Sequence, residues 1–143
     1  MSRFKFSLCA LLFSGLCAMQ SAAAQVTPVP DAPRASEAAK ALQAQLNAKQ
    51  YHAVHERLSS DVKASISAQK FAAFMVDLRQ HLGAFKQSIF FNQKRMNADT
   101  LRLSFMSEFE RGVTVEMYFL KEVSGGQYSL YRYEVTDPSK FAF

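Results

Sequence analysis

The sequence predicts an α+β domain, two to three N-terminal helices packed on a curved four-stranded antiparallel meander. Three observations point there. Apolar residues recur at spacings of three and four as far as Leu82, then alternate at a spacing of two from Ala84 onward, with Gly83 between the two regimes. The alternating half divides into runs separated by short turn signals, Asn97-Ala98-Asp99, Arg111-Gly112 and Gly125-Gly126. Helices followed by sequential strands give segregated layers rather than interleaved βαβ units.

Taken in order, Ala35, Ala38, Ala39, Leu42 and Leu46 mark the first helix, starting near Arg34 with Asp31 or Ser36 as candidate caps. After a break at Asn47 to Gln50, Tyr51, Val54, His55 and Leu58 share a second helical face, and a turn of helix is possible from Val62 to Ile66. The third full helix has Ser67 as N-cap and places Phe71, Phe74, Met75, Leu78 and Leu82 on one face, with Gly83 where a left-handed C-cap belongs. Its other side, Lys70, Asp77, Arg79 and Gln80, reads as solvated. The strands follow as Ala84 to Arg95, Leu101 to Glu110, Val113 to Val123 and Gln127 to Thr136. In the first, Phe85, Ile89 and Phe91 are expected on one side and Phe90 on the other.

The final hairpin permits a register. A two-residue turn at Gly125-Gly126 sets Ser124 against Gln127, so that Leu120 faces Tyr131, Tyr118 faces Tyr133 and Glu116 faces Val135 on one side of the sheet. Phe119 with Arg132 and Met117 with Glu134 then occupy the other side, where ion pairs are expected.

The N-terminus reads as a cleaved secretory signal, residues 1–24. Arg3 and Lys5 form a basic start, Phe6 to Met19 an apolar run, and Ala22-Ala23-Ala24 a small-residue cleavage site. The expected location is periplasmic or secreted after cleavage near Ala24, without a membrane anchor. Residues 25–34, with three of the four prolines, read as a tether, 35–137 as one domain and 138–143 as a tail carrying Phe141 and Phe143. Removing 24 of 143 residues leaves 119, takes both cysteines, and leaves 15 basic against 12 acidic side chains. Disulfides and thiolate metal sites are thereby excluded from the mature chain. The scattered Lys and Arg form no basic stripe, so nucleic acid is not an expected partner.

Few residues carry chemistry. His52 and His55 at i and i+3, with Glu56 adjacent, could seat two ligands, but the strong i, i+4 pattern is absent and no third ligand is apparent, so no metal and no cofactor is expected. His81 falls at a helix end. There is no nucleophile elbow. Among strand carboxylates, Glu116 stands out because the register sets it beside Tyr118 and Tyr133. Its ordinary reading is an exposed strand glutamate in an ion pair. Its chemical reading is a carboxylate in an apolar surround, able to act as general acid or base if it lines a cavity beside Tyr118. The aromatics Phe71, Phe74, Phe85, Phe91, Phe105, Phe109 and Tyr118 read mainly as core.

Tyr51, Val54 and Leu58, then Leu82, Gly83 and Phe85, then Gly126, Tyr128, Leu130, Tyr133 and Val135 resemble the pattern of the nuclear-transport-factor-2-like (cystatin-like, SnoaL-like) α+β cone, in particular its small exported bacterial domains of unknown function. Tyr128 stands where the pattern usually has Trp. The resemblance spans Ala35 to Val135 and implies a sheet curled around a helix, with a cone that is open in some relatives and filled in others. An open cone would draw its lining from Tyr118, Leu120, Tyr131, Tyr133, Phe74 and Leu78. The function it implies is a small binding domain, for an apolar ligand in the cone or a protein partner on the sheet, with a homodimer through the sheet as one form. A lyase- or isomerase-type enzyme using Glu116, and a periplasmic inhibitor or immunity protein, are the alternatives.

Overall fold

The computed structural model describes residues 32–140. The proposed signal segment, most of the tether and the terminal Phe141 and Phe143 lie outside these. Four helices precede four strands: α1 (Ala32–Asn47), α2 (Tyr51–Glu56), α3 (Ser60–Ser65), α4 (Ala68–Leu82), β1 (Phe85–Arg95), β2 (Thr100–Phe109), β3 (Gly112–Val123) and β4 (Gln127–Thr136), then a 3-10 turn at Pro138–Lys140. The sheet is a pure antiparallel meander in the order β1-β2-β3-β4.

The first helix begins at Ala32, so Pro33 and Arg34 belong to it rather than to the tether. Proline is accommodated there because the first-turn N–H groups have no intrahelical acceptor to lose. At its far end the chain turns through Lys49, which holds a left-handed φ of 58°. The Gln50 N–H donates to the Gln45 carbonyl at 2.9 Å, closing the helix. The Ser67 hydroxyl accepts from the Lys70 N–H at 3.3 Å and caps α4, and Gly83, at φ 78°, ends it. A side chain at Gly83 would also meet Glu110 Cβ at 2.8 Å, so glycine is required twice over.

Small faces let α1 sit close on the sheet: Ala35 and Ala39 have no exposed surface and join Leu42, Leu46, Val54, Met75, Leu101, Leu103, Phe105, Tyr118, Leu120 and Leu130 in one core. The helical layer is also tied to the edge of the sheet. The Leu130 N–H donates to the Arg57 carbonyl at 2.8 Å and the Ser59 N–H to the Leu130 carbonyl at 2.9 Å, a short parallel bridge between the α2–α3 link and β4. It covers the middle of an edge strand that would otherwise present unpaired backbone.

The sheet departs from the expected register at its bulges. The β3–β4 loop has three residues, Ser124 to Gly126, with Gly125 and Gly126 both at positive φ, and Val123 rather than Ser124 opposes Gln127. Leu120 therefore pairs with Leu130. An extra residue at Tyr131 then shifts the ladder, so that Phe119 with Arg132, Tyr118 with Tyr133, Met117 with Glu134 and Glu116 with Val135 stand opposite one another as expected. A bulge adds one residue to one strand, and here it cancels the extra residue of the loop. In β1, shifts between Phe85 and Gln87 and between Phe90 and Asn92 bring Phe85 and Phe90 to the helix-facing side, opposite Phe109 and Phe105. Ile89 and Phe91 go to the other face, against the expectation that Phe85 would accompany them.

Helix α4 is rotated from its expected setting. Phe71 and Met75 are buried, Leu78 is half-buried, and Phe74 is 58% exposed. At about 100° per residue, a face centred on Phe71 and Met75 continues to Arg79, four residues after Met75, and leaves Phe74 on its solvent margin.

Candidate functional site

The centre of the core is polar. Glu116, on β3, is completely buried, and five side-chain donors from four other elements and its own strand converge on it. Its Oε1 accepts from Arg79 Nη2 at 3.1 Å, the Tyr133 hydroxyl at 2.5 Å and the Tyr118 hydroxyl at 3.3 Å. Its Oε2 accepts from the Ser107 hydroxyl at 2.5 Å and Gln43 Nε2 at 2.8 Å. A carboxylate offers about four lone-pair sites, so Glu116 is saturated from within the protein. Gln43 is in turn fixed by the Ser88 hydroxyl, which donates to its Oε1 at 2.8 Å, and Arg79 by Asn47, whose Oδ1 accepts from Nη1 at 2.9 Å. The Arg79 guanidinium also lies 5.0 Å from the centroid of the Phe109 ring.

Each position follows from a local pattern. Glu116 and Tyr118 alternate on the inner face of β3, where Phe105 and Leu103 of β2 oppose them. Ser107 continues the inner row of Leu101, Leu103 and Phe105, filling the place that an apolar residue would have held. Gln43 is one turn after Ala39 on the buried face of α1, and Arg79 one turn after Met75 on α4. An unpaired charge in this interior would be strongly destabilising, whereas a paired and fully hydrogen-bonded one is tolerated. Burial first, and then the neighbouring Tyr133 and Glu116, push the Tyr118 hydroxyl well above the ordinary tyrosine range. Burial and then the Glu116 charge do the same to Tyr133.

These shifts have a pH consequence. An unfolded tyrosine ionises near pH ~10, while both hydroxyls are held neutral in the fold. Stability contributed by keeping them neutral is fully present below that pH and is lost as pH rises toward their folded values. We expect the tyrosinate absorbance assignable to Tyr118 and Tyr133, from differences against Tyr118→Phe and Tyr133→Phe, to rise together with the loss of near-UV dichroism. Ionisation of either hydroxyl while the fold is intact would contradict this account.

Neither sequence reading of Glu116 describes the result. It is not an exposed strand glutamate, and its surround is not apolar, since the donors above replace water. Of the other residues considered for a pocket, Tyr118, Leu120 and Tyr133 lie in or against the core, Leu78 packs beside it, and Phe74 and Tyr131 are exposed, Tyr131 because it is the bulged residue. Arg79, expected on the solvated side of α4, points into the core. Arg79, Gln43 and Ser107 are the network members that sequence reading missed. The available signal was positional: each continues a buried stripe one turn or one alternation beyond an apolar residue.

The histidines are placed differently. His52 is exposed. His55 is buried, with its Nε2 donating to the Ile66 carbonyl at 2.8 Å and its ring 5.9 Å from that of Phe71. His81 is exposed and its Nδ1 donates to the Asp77 carbonyl at 2.8 Å. Among the described residues, no three His, Cys, Asp or Glu side chains group as a metal site. On the outer face, Arg132 pairs with Glu134 and stacks 5.3 Å from the Phe119 ring centroid.

A cavity of about 630 Å³ is bordered by the end of α1, the start of α2, the last turns of α4 and the start of β1. Arg79 lines it from within. Glu116 does not.

No family model and no curated protein matches the chain. Among solved structures it is similar to a Campylobacter jejuni protein described as a "Putative NTF2-like transpeptidase", with a TM-score of 0.52 and 14% identity, over 68% of this chain and 97% of that one. At that identity the likeness speaks for the fold alone. Helices packed on the inner face of a four-stranded antiparallel meander in the order β1-β2-β3-β4 make this chain a domain of the nuclear-transport-factor-2-like α+β fold.

Proposed function

We propose that this is a non-catalytic binding domain whose working surface is the face of the sheet turned away from the helices, and that its partner is a protein, in the simplest case a second copy. The observation that carries the proposal is the cross-strand row Ile89, Met106 and Val115 on that face. It opens with Ile89 at 67% exposed. Phe91, Met117 and Phe119 pack around Val115 beside it, and Val113 is exposed at one end. Val115 and Met117 are themselves buried, so the exposed apolar surface of this face is Ile89 and Val113, with Met106, Phe91 and Phe119 half-buried, and edged by Arg102 and Arg132 it has the composition of a recognition surface. The saturation of Glu116 supports the same reading from the other side. A general acid or base must reach its substrate's proton, and this carboxylate is enclosed by its own donors. Inhibition of a hydrolase or toxin would be one use of such a surface. The basic start, apolar run and Ala22 to Ala24 site support placing that use outside the cytoplasm.

Light scattering over a concentration series should show a dimer, or a stoichiometric complex with a protein captured from extract of the source cells. Ile89→Glu together with Val113→Glu should abolish either while leaving the melting temperature unchanged. A monomer at every concentration with no stoichiometric partner would overturn the proposal.

A further inference from the structure

The cavity between the ends of α1 and α4 and the start of β1 is separate from the outer face of the sheet, and its lining has a distinct chemistry. Leu46, Val76 and Phe85 form an apolar wall, while Asn47, Lys49 and Arg79 supply polar groups, and the lining contains no carboxylate. Glu110, which lies against Gly83, accepts at its Oε2 from the Ala84 N–H at 3.2 Å. The side chain of Arg79 is only 9% exposed and is already balanced by Glu116, yet its Nε is buried without a hydrogen-bond partner among the described residues. Asn47 spends its Oδ1 on Arg79 and so presents its amide N–H₂ as donor. Lys49 stands exposed at the rim, and its ammonium has no acid opposite it in the lining.

Lys49 is also the residue held at φ 58°, a backbone setting at which glycine would fit without penalty. A lysine there gives up local backbone ease and places a cation at the cavity's edge. A volume of about 630 Å³ is within the range of small-molecule sites, and an apolar wall with a few convergent donors is their usual composition.

We propose that this cavity binds a small organic carboxylate, its apolar body against Leu46, Val76 and Phe85 and its carboxylate against the Lys49 ammonium and the Asn47 amide. The guanidinium of Arg79, kept in place by Glu116 and Asn47, backs the donors and adds its positive field. Recognition of this kind requires the negative charge, so an isosteric neutral amide is a poor substitute.

Naphthoate and naphthamide, titrated into the purified protein and followed by calorimetry and by amide chemical shifts, test this directly. Saturable binding of naphthoate, with shifts at Lys49, Val76 and Phe85 and weaker binding of naphthamide, is the expected result. Lys49→Gly should weaken naphthoate by about fivefold, the scale of one exposed charge pair, while the melting temperature holds or rises because the strained position is relieved. Val76→Asp, at an exposed helix position, should abolish naphthoate binding without loss of helical dichroism. Three results would each overturn the proposal: no saturable naphthoate binding at millimolar concentration, equal affinity for naphthamide, or unchanged naphthoate affinity in Lys49→Gly. Because none of these residues is on the sheet's outer face, the dimer measurement is independent of the outcome.

Discussion

Replacing Arg79 by methionine is expected to lower the unfolding free energy by about 3–5 kcal/mol, measured by urea denaturation at neutral pH. The side-chain volume is largely kept, so the loss comes from electrostatics. Glu116, with no exposed surface, would keep its neutral donors but lose the guanidinium 3.1 Å away. For a domain whose total stability is on the order of 5–15 kcal/mol, that is a large share. The companion experiment is the double replacement Arg79→Met with Glu116→Leu, which removes both charges. It should recover part of the deficit, because a buried ion pair can often be exchanged for apolar packing at small net cost. Recovery will be incomplete, since Tyr133, Ser107 and Gln43 lose an acceptor, at about 1–3 kcal/mol for a buried group left unsatisfied. A single Arg79→Met variant within ~1 kcal/mol of the parent would show that the pair does not hold the interior together.

Phe105→Ala should cost a similar amount, about 3–5 kcal/mol, as measured by the same denaturation curves. Phe105 is 2% exposed and stands opposite Glu116 in the β2–β3 ladder. Its ring meets Tyr118 edge-on at 5.6 Å and Phe90 at 5.5 Å. Deleting it removes both contacts and opens a cavity directly beneath the polar network, in a place where α1 and β3 cannot close in without breaking the hydrogen bonds to Glu116. Phe90→Ala provides the contrast. With 41% of its surface exposed, Phe90 leaves a void that water can enter, and the cost should be about 1 kcal/mol. Equal costs for the two positions would mean that Phe105 is not the keystone its packing indicates.

Much of the fold was legible before any coordinates. The change of period at Gly83, the cap at Ser67, the turns at Asn97 to Asp99 and Arg111-Gly112, and the span of β4 from Gln127 to Thr136 all depend on neighbours within a few residues. Local sterics and hydrogen bonding leave such marks in the chain itself. The likeness to a solved domain of the same fold bears out the architecture inferred from them. Glu116 drew attention because strand alternation and the hairpin put it beside Tyr118 and Tyr133, but it was read as an exposed ion-paired glutamate or as a carboxylate in an apolar surround, and its buried, fully hydrogen-bonded state is neither.

Its environment was not legible, and the reason is distance along the chain. The partners that decide whether Glu116 is exposed, apolar or saturated are Arg79 and Gln43, 37 and 73 positions away, on helices whose rotation about their own axes is set only when they dock. A shift of less than one residue around α4 exchanges Phe74 for Arg79 at the core, and the helical period permits both. The bulges at Tyr131 and in β1 belong to the same class, since they arise from fitting a twisted sheet around α1 and α4. By itself the sequence determined the change from helices to strands, the four strands in their order, and that Glu116 shares a face with Tyr118. Only tertiary packing decided that the face is closed by a guanidinium, two phenols, a serine and an amide, because the cost of burying a charge can be met only by groups that folding brings to it from elsewhere in the chain.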